Sequence, residues 1–221
     1  DTVMLGFMKT DVDVGYYNAA IKIKTVLVSL VTSLGNVLLP RMSLYAKEHR
    51  NDEFLKTMSL AINFTMLISI PISLYFSTFA SETIAFLAGS EFVGAVQAMR
   101  IITISIIPIG LTGILGVQVL TAIEKEKYVL YSVIIGAVVD FVLNLLFIQS
   151  MGAAGAALST VIAEVSVLAV QVWFTKSLLS EIKMDMKVHI YFIISLIALM
   201  SSCFIKILQW KSVFLTLVMS A

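Results

Sequence analysis

Two carboxylates lie inside long apolar runs of this sequence, where an ionised group is costly. Asp140 falls within the run from Val129 to Gln149, and Glu164 falls within the run that ends near Phe174. A charge near the centre of a bilayer costs roughly 2.5–3.5 kcal/mol on insertion scales. Proteins retain such groups for polar partners or for ion and proton movement, so both acids are candidate ion-coupling residues.

Asn144 follows Asp140 by one helical turn and is the third candidate for ion coupling. Residues at this spacing share a helix face and can share a hydrogen bond. Two interpretations remain open for Asp140: a structural hydrogen-bond cluster with Asn144 and a neighbouring helix, or a site that takes up a proton on one side of the membrane and releases it on the other. The same alternatives hold for Glu164, which has Thr160 and Gln171 as polar neighbours.

The two apolar runs predict a membrane hairpin. Each run approaches the roughly 20 apolar residues that cross about 30 Å of hydrocarbon as a helix. The small-residue turn from Met151 to Gly155 is too short for anything other than an antiparallel connection. Asp140 and Glu164 are equally distant in sequence from Gly152, so we expect both carboxyl groups at similar depth.

A polar stripe follows the helix predicted from Tyr16 to Leu39, which we expect Pro40 to end. Its members recur at steps of three and four residues, and such a stripe on a spanning helix faces other helices or water. Lys22, Ser29 and Asn36 of this stripe are candidate substrate-binding residues. The positive charge of Lys22 suits a diphosphate or an acidic sugar.

Lys22 and Lys24 lie on different sides of this helix, because two residues turn it by about 200°. Lys24 stands among apolar residues, and we interpret it as a side chain that snorkels to the headgroups. For Lys22 the same interpretation is an equal alternative to substrate binding.

The span predicted from Arg100 to Ile123 contains one proline and three glycines. Proline removes a helical hydrogen bond and clashes with the preceding turn, so we expect a kink between Thr103 and Pro108. An equal alternative is that the glycines only allow neighbouring helices to approach. The candidate hinge residues are Pro108, Gly110, Gly113 and Gly116.

Composition places the whole chain in a membrane. The 221 residues are 59% hydrophobic and 13% charged, whereas soluble domains carry about 25% charged residues. We therefore expect an all-α integral membrane protein, a bundle of antiparallel transmembrane helices. The single cysteine excludes an intramolecular disulfide, and no nucleotide loop, zinc spacing or activated nucleophile is present. The sequence predicts no enzyme activity, catalytic residue, metal, cofactor or nucleic-acid partner.

Lysine and arginine concentrate in alternate connections between the spans. Because basic loops remain in the cytoplasm, the connections after Pro40, before Tyr128 and after Phe174 are predicted to be cytoplasmic. The glycine turn and the segment from Asp1 to Asp13 are then predicted to face outward.

Several stretches resemble one family of transporters. They are DTVMLGF, VGYYNAAIKI, LLPRMS, GILGVQVLTAIEKEKY and NLLFIQSMGAAGAALSTVIAEV, which lie in this order between Asp1 and Val165. Together they resemble the polysaccharide repeat-unit flippases of the Wzx type, in the superfamily that includes the MATE exporters and the lipid II flippases.

The resemblance implies the C-terminal lobe of a two-lobed, MATE-like transporter. Residues 1–174 would run from the end of helix seven to helix twelve. Residues 175–221 would form a cytoplasmic loop and additional transmembrane helices, the last of them incomplete. We expect a longer protein with a missing N-terminal lobe, because the chain has no initiator methionine and its last apolar run stops at Ala221.

The function implied is that of a flippase in the bacterial cytoplasmic membrane. It would move an undecaprenyl diphosphate-linked oligosaccharide outward by alternating access for O-antigen or capsule synthesis, with proton coupling as one option. Its partners would be this lipid-linked oligosaccharide, the bilayer, the N-terminal lobe and other polysaccharide assembly proteins. Asp140 departs from the family pattern, so its role depends on the membrane argument alone.

Three alternatives remain. Two belong to the same superfamily, a drug or cation exporter and a lipid II flippase. The third, a membrane polysaccharide polymerase, is less favoured because its catalytic groups need a sizeable outward loop, and the outward loops here are short.

Overall fold

Helices form every regular element that the structure describes. The structure is a computed structural model that describes residues 1–33, 35–182, 190, 193, 195–197 and 200–201. The α-helices, in chain order, are α1 (Thr2–Met8), α2 (Asp11–Thr32), α3 (Gly35–Lys47), α4 (Asn51–Thr78), α5 (Ala80–Leu87), α6 (Ala95–Ile102), α7 (Ile106–Thr112), α8 (Glu126–Met151) and α9 (Ala153–Glu181). Short 3-10 turns lie at Ser90–Phe92 and Thr103–Ser105, and a π-helical segment lies at Gly113–Leu120.

Length and hydropathy mark these helices as membrane-spanning. Among the described residues, four stretches are long and apolar enough to cross a bilayer: Asn51–Thr78, Ala95–Leu120, Glu126–Met151 and Ala153–Glu181. Helix α2 and Val37–Lys47 form a further bent span, with 43° between the two parts. The predicted all-α membrane fold is therefore confirmed.

The predicted hairpin consists of α8 and α9, which meet at Gly152. The φ angle of Gly152 is +54°, a value that favours glycine, so the chain reverses at a single residue. Next to the turn, a Cβ atom on Gly155 would overlap the carbonyl oxygen of Phe147. The absence of a side chain at Gly155 is what lets the two helices pack closely.

Helix α9 continues to Glu181, whereas the sequence pattern predicted a polar loop from Thr175 onward. The Thr175 hydroxyl is satisfied within the helix by the Gln171 carbonyl oxygen at 2.8 Å. Leu178 and Leu179 pack against the apolar cluster that contains Met42 and Phe54. The packing of these two leucines therefore extends the helix past Phe174, where the long apolar run ends.

The prediction that Pro40 ends the second helix is wrong. The break lies before Gly35, and Pro40 is inside α3. The hydroxyls of Thr32 and Ser33 bond back to the carbonyls of Val28 and Leu30, at 2.9 and 2.8 Å. Such bonds bend helices, and glycine is a poor helix former, so the helix breaks before the proline.

A 3-10 turn lies at Thr103–Ser105, within the stretch from Thr103 to Pro108 where the sequence predicted a kink. Carbonyl groups near this turn accept hydrogen bonds from α4: Ser73 Oγ donates to the Thr103 oxygen and Ser77 Oγ donates to the Arg100 oxygen, each at 3.0 Å. Lipid offers no partner for such groups, so a broken helix requires a neighbour of this kind. Whether Pro108 and its glycines act as a hinge stays a prediction.

The three candidate hinge glycines differ in their surroundings. A Cβ atom on Gly110 would lie 2.7 Å from Thr65 Cγ2 and 2.8 Å from Val31 Cγ1. A Cβ atom on Gly116 would lie 2.6 Å from Gln171 Nε2, whereas one on Gly113 would make an ordinary 3.9 Å contact with Thr32. Close packing is therefore a requirement at Gly110 and Gly116 and not at Gly113.

This difference yields a prediction with an internal control. Gly110→Ala should destabilise the full-length protein by about 1–3 kcal/mol, because the added methyl group overpacks the contact with α2 and α4. Gly113→Ala should leave stability unchanged or raise it by up to about 1 kcal/mol, since alanine favours the helix. Thermal unfolding of the purified protein measures both, and equal effects of the two substitutions would contradict the packing explanation.

Candidate functional site

Asp1 lies at the centre of a polar cluster between four helices. Its Oδ2 accepts a hydrogen bond from the Tyr17 hydroxyl at 2.6 Å, and its Oδ1 accepts one from Asn144 Nδ2 at 2.7 Å. The Thr160 hydroxyl lies 3.0 Å from Asp1 Oδ2 and 3.0 Å from the Ala156 carbonyl oxygen, so its single proton serves one acceptor at a time. Helices α1, α2, α8 and α9 thus meet at one carboxylate.

Asn144 connects this carboxylate to Asp140. Its Nδ2 also donates to Asp140 Oδ2 at 2.9 Å, so the predicted hydrogen bond between the two residues is present. Asn144 is fully buried. Neither Asn144 Oδ1 nor Asp140 Oδ1 has a hydrogen-bond partner among the described residues. Two carboxylates held by one amide leave buried oxygen atoms that can bind a proton or a cation.

Lys24 lines the same cavity as Asp140 and Glu164. The cavity has a volume of about 670 Å³ and lies between α2, α7, α8 and α9. The ammonium group attracts both carboxylates electrostatically. Within the described chain, however, the ion pairs closer than 4.0 Å are those of Arg50, and Lys24 makes none.

The snorkelling interpretation of Lys24 is therefore wrong. The side chain is half-buried and faces acids on α8 and α9 instead of the headgroups. No pattern in the sequence indicates this arrangement, because Lys24 is surrounded by apolar residues on its own helix and the two acids lie more than a hundred positions away.

Glu164 does not bond to the polar neighbours predicted for it. Thr160 is directed toward Asp1, and Gln171 Nε2 donates to Ser132 Oγ on α8 at 3.1 Å. Helical spacing placed these residues along one edge of α9, but the contact with α8 and with Asp1 decides where their hydrogen bonds go.

Lys22 lies on a different side of α2 from Lys24, as their spacing predicts. Its exposed side chain lines a groove of about 700 Å³ between α2 and α5, which we call the α2–α5 groove. Asn18 lies one turn away in the same groove, and the opposite wall carries Phe76, Leu87 and Phe92.

Ser29 and Asn36 are the other two candidate substrate-binding residues. Ser29 is exposed, and its hydroxyl donates to the Val26 carbonyl oxygen at 2.7 Å. The side chain of Asn36 lies outside the described part of the structure. Ser29 does not line the groove that Lys22 lines. The binding role of the three residues stays a prediction.

Groups of three or more His, Cys, Asp or Glu that could hold a metal ion do not occur among the described residues. A cation at Asp1 and Asp140 would take its other ligands from amide, hydroxyl or carbonyl oxygens, and Asn144 Oδ1 is one such oxygen without a hydrogen-bond partner among the described residues.

Comparison with known proteins identifies a family that has this fold. A family model described as lipid II flippase MurJ matches residues 2–220. The chain belongs to the lipid II flippase MurJ family. A solved structure of the lipid II flippase MurJ in an inward closed conformation superposes with a TM-score of 0.74 at 17% identity, covering 93% of this chain and 43% of that one. That likeness establishes the shared fold.

Two curated relatives are archaeal. The probable low-salt glycan biosynthesis flippase Agl15 of Haloferax volcanii is 24% identical over 163 residues, which cover 74% of this chain and 34% of the relative. An uncharacterised membrane protein of Methanocaldococcus jannaschii is 25% identical over 196 residues, covering 86% of this chain and 38% of the relative. The chain thus spans little more than a third of these relatives.

Membership of the MurJ family confirms the broader part of the resemblance. The chain belongs to the flippase superfamily that the sequence indicated, and the prediction that it is not an enzyme is confirmed. The finer prediction, a flippase of the Wzx type, stays a prediction. Asp1 and Tyr17 were not singled out in the sequence, because neither belongs to a periodic pattern with its hydrogen-bond partners.

The cluster predicts unequal effects at two adjacent tyrosines. Tyr17→Phe should destabilise the full-length protein by about 1.5–3 kcal/mol, because it removes a hydrogen bond from a buried hydroxyl to the half-buried Asp1 carboxylate. Tyr16→Phe is the matched control, since the Tyr16 ring packs edge-on against Phe92 and its hydroxyl has no bond among the described residues. Thermal unfolding measures the difference, and indistinguishable values would show that the Asp1 bond contributes nothing.

Proposed function

We propose that this chain is one lobe of a flippase that moves a polyprenyl diphosphate-linked glycan across a membrane by alternating access. The family match over residues 2–220 carries the proposal. The arrangement of α2 supports it, because this helix presents Lys22 on one side and Lys24 toward buried acids on another.

The substrate that we propose is an oligosaccharide repeat unit on undecaprenyl diphosphate. The role of the Haloferax relative as a probable glycan biosynthesis flippase supports a lipid-linked glycan other than lipid II. Lipid II is the second candidate, favoured by the family description. Depletion of the protein distinguishes them, because the untransported lipid-linked intermediate should accumulate and its glycan can be identified by mass spectrometry.

The lobe organisation is also a proposal. Residues 1–174 would form the C-terminal lobe from the end of helix seven to helix twelve, and residues 175–221 would add a cytoplasmic loop and further transmembrane helices. An N-terminal lobe of the same protein would complete the passage in the bacterial cytoplasmic membrane. The fact that the chain covers 43% of the solved flippase is consistent with this division.

Lys22 would attract the diphosphate of the substrate. An exposed ammonium on an apolar membrane helix requires water or an anion, and a diphosphate supplies several acceptor oxygens. Ser29 and Asn36 would extend this polar surface along α2.

Asp140, Asn144 and Glu164 would couple transport to a proton or a monovalent cation, and we add Asp1 to this set. A cation bound between Asp1 and Asp140 would tie α1 to α8, whereas loss of the cation would leave two carboxylates repelling each other. Binding of the cation would thereby bias the arrangement of helices, with Pro108, Gly110, Gly113 and Gly116 permitting the bend.

The role of Lys22 can be tested in cells. Full-length protein with Lys22→Ala should lose about tenfold or more of its transport, equivalent to about 1.4 kcal/mol of binding, and Lys22→Arg should retain most of it. Lys9→Ala, in the exposed link between α1 and α2, is the control. Complementation of a deletion strain, read as surface glycan and accumulated lipid-linked intermediate, measures the effect. Normal transport by Lys22→Ala would remove this role.

The coupling role can be tested in proteoliposomes. Asp140→Asn removes one of the paired charges, so transport should lose its response to an imposed proton or sodium gradient. Asp52→Asn, an exposed acid at the start of α4, should behave like the unmodified protein. Proton and sodium gradients applied separately identify the ion. An unchanged gradient response in Asp140→Asn would exclude this residue from coupling.

A further inference from the structure

The cavity that contains Asp140 and Glu164 has a second polar region, away from the carboxylates. Its lining runs along α8 from Val129 to Asp140 and along α9 from Gln171 back to Thr160, about 16 Å in each helix. Val129 and Gln171 lie next to the connections that the sequence predicts to be cytoplasmic. By this topology the cavity extends from the carboxylates toward the cytoplasmic side.

Two glutamines line this second region, and each has an unpaired oxygen atom. Gln118 and Gln171 are 4% and 2% exposed. The Oε1 atom of each is buried and has no hydrogen-bond partner among the described residues. Buried polar atoms without a partner are costly, so two of them in one cavity indicate a bound ligand.

Contacts with the protein hold the nitrogen atom of each amide. Gln171 Nε2 donates to Ser132 Oγ at 3.1 Å, and the Ser132 hydroxyl proton goes to a backbone carbonyl. Gln118 Nε2 lies so close to Gly35 that a Cβ atom there would overlap it, and a Cβ atom on Gly116 would lie 2.6 Å from Gln171 Nε2. The two glycines make room for the amides, and the Oε1 atoms are left for a ligand.

The chemistry of the cavity favours a monovalent cation as that ligand. Neutral amide oxygens coordinate alkali cations, as backbone carbonyls do in channel filters, whereas divalent ions favour carboxylates. The charged side chains that line the cavity are three carboxylates and one ammonium, so its potential is negative and it concentrates cations. These four side chains are Asp1, Asp140, Glu164 and Lys24. Their net charge is that which two monovalent cations neutralise.

We infer that Gln118 and Gln171 form an entry site that binds an alkali cation on its way from the cytoplasm to the carboxylates of Asp1 and Asp140. This inference rests on the proposed coupling role and adds to it a second site and a class of ion. Gln118 belongs to the π-helical segment Gly113–Leu120, and such segments occur frequently at functional sites. The ion exchanges its water for protein oxygens in two steps, first at neutral amides and then at carboxylates.

Equilibrium binding of ²²Na⁺ to the purified full-length protein tests this inference. The unmodified protein should bind two sodium ions per chain. Gln118→Leu and Gln171→Leu remove the amide oxygen at similar volume, so each should weaken one of the two sites by about tenfold or more. Asp140→Asn should weaken the other site. The matched control is Gln149→Leu, an exposed glutamine elsewhere on α8, which should leave both sites unchanged.

A substitution of opposite sign separates an ion site from a structural amide. Gln118→Glu adds a negative charge next to the proposed ion, so it should tighten the same site by about tenfold at pH 8. It also decides the question if the leucine variants fail to fold. Binding of a single ion, or of two ions whose affinities no glutamine variant changes, would overturn the inference.

Transport in proteoliposomes separates this inference from the proposed function. Gln171→Leu should raise the sodium concentration for half-maximal transport by about tenfold, and excess sodium should restore the rate. If Asp140→Asn loses the gradient response while the glutamine variants bind and transport like the unmodified protein, the coupling role stands and the entry site does not. If the glutamine variants lose one ion but transport ignores every gradient, the entry site stands and the coupling role fails.

Discussion

Asn144 holds together the part of the structure on which the rest depends. Its amide group donates to carboxylates on two segments, Asp1 before α1 and Asp140 on α8. Lipid offers these groups no hydrogen-bond partner, so the bonds that hold them come from the protein. The two bonds of the Asn144 amide fix where α1 meets the hairpin. They also leave Asp140 Oδ1 and Asn144 Oδ1 without a hydrogen-bond partner among the described residues. A stabilising contact and a candidate coupling site are therefore the same atoms.

The same requirement for internal partners explains the irregular middle of the fold. The span that contains α6 and α7 is not a continuous α-helix, and Ser73 and Ser77 of α4 bond to carbonyls beside its 3-10 turn. Gly110 and Gly116 bring neighbouring side chains against this span. A helix that is interrupted yet closely packed can change its bend only together with its neighbours, which links any hinge motion to α2 and α4.

Helix α2 carries Lys22 and Lys24 on different sides, so the two lysines line different cavities. Lys24 faces the cavity with Asp140 and Glu164, whereas Lys22 faces the α2–α5 groove. One helix thus carries both a lysine that faces the candidate ion site and Lys22, the candidate substrate-binding residue. Movement of α2 in response to an ion would move Lys22 as well, and this shared helix is a physical route by which ion binding can reach the substrate.

The sequence by itself determined the membrane fold, the hairpin at Gly152 and the bond between Asp140 and Asn144. Each follows from hydropathy or from helical spacing over a few residues, and such local geometry hardly depends on the surrounding fold. Only the tertiary structure decided that Lys24 faces acids, that Asp1 is bonded to Asn144 from 143 positions away, and that helix α2 breaks before Pro40. These features depend on which helices become neighbours, and the packing of side chains between helices has no signature within one helix.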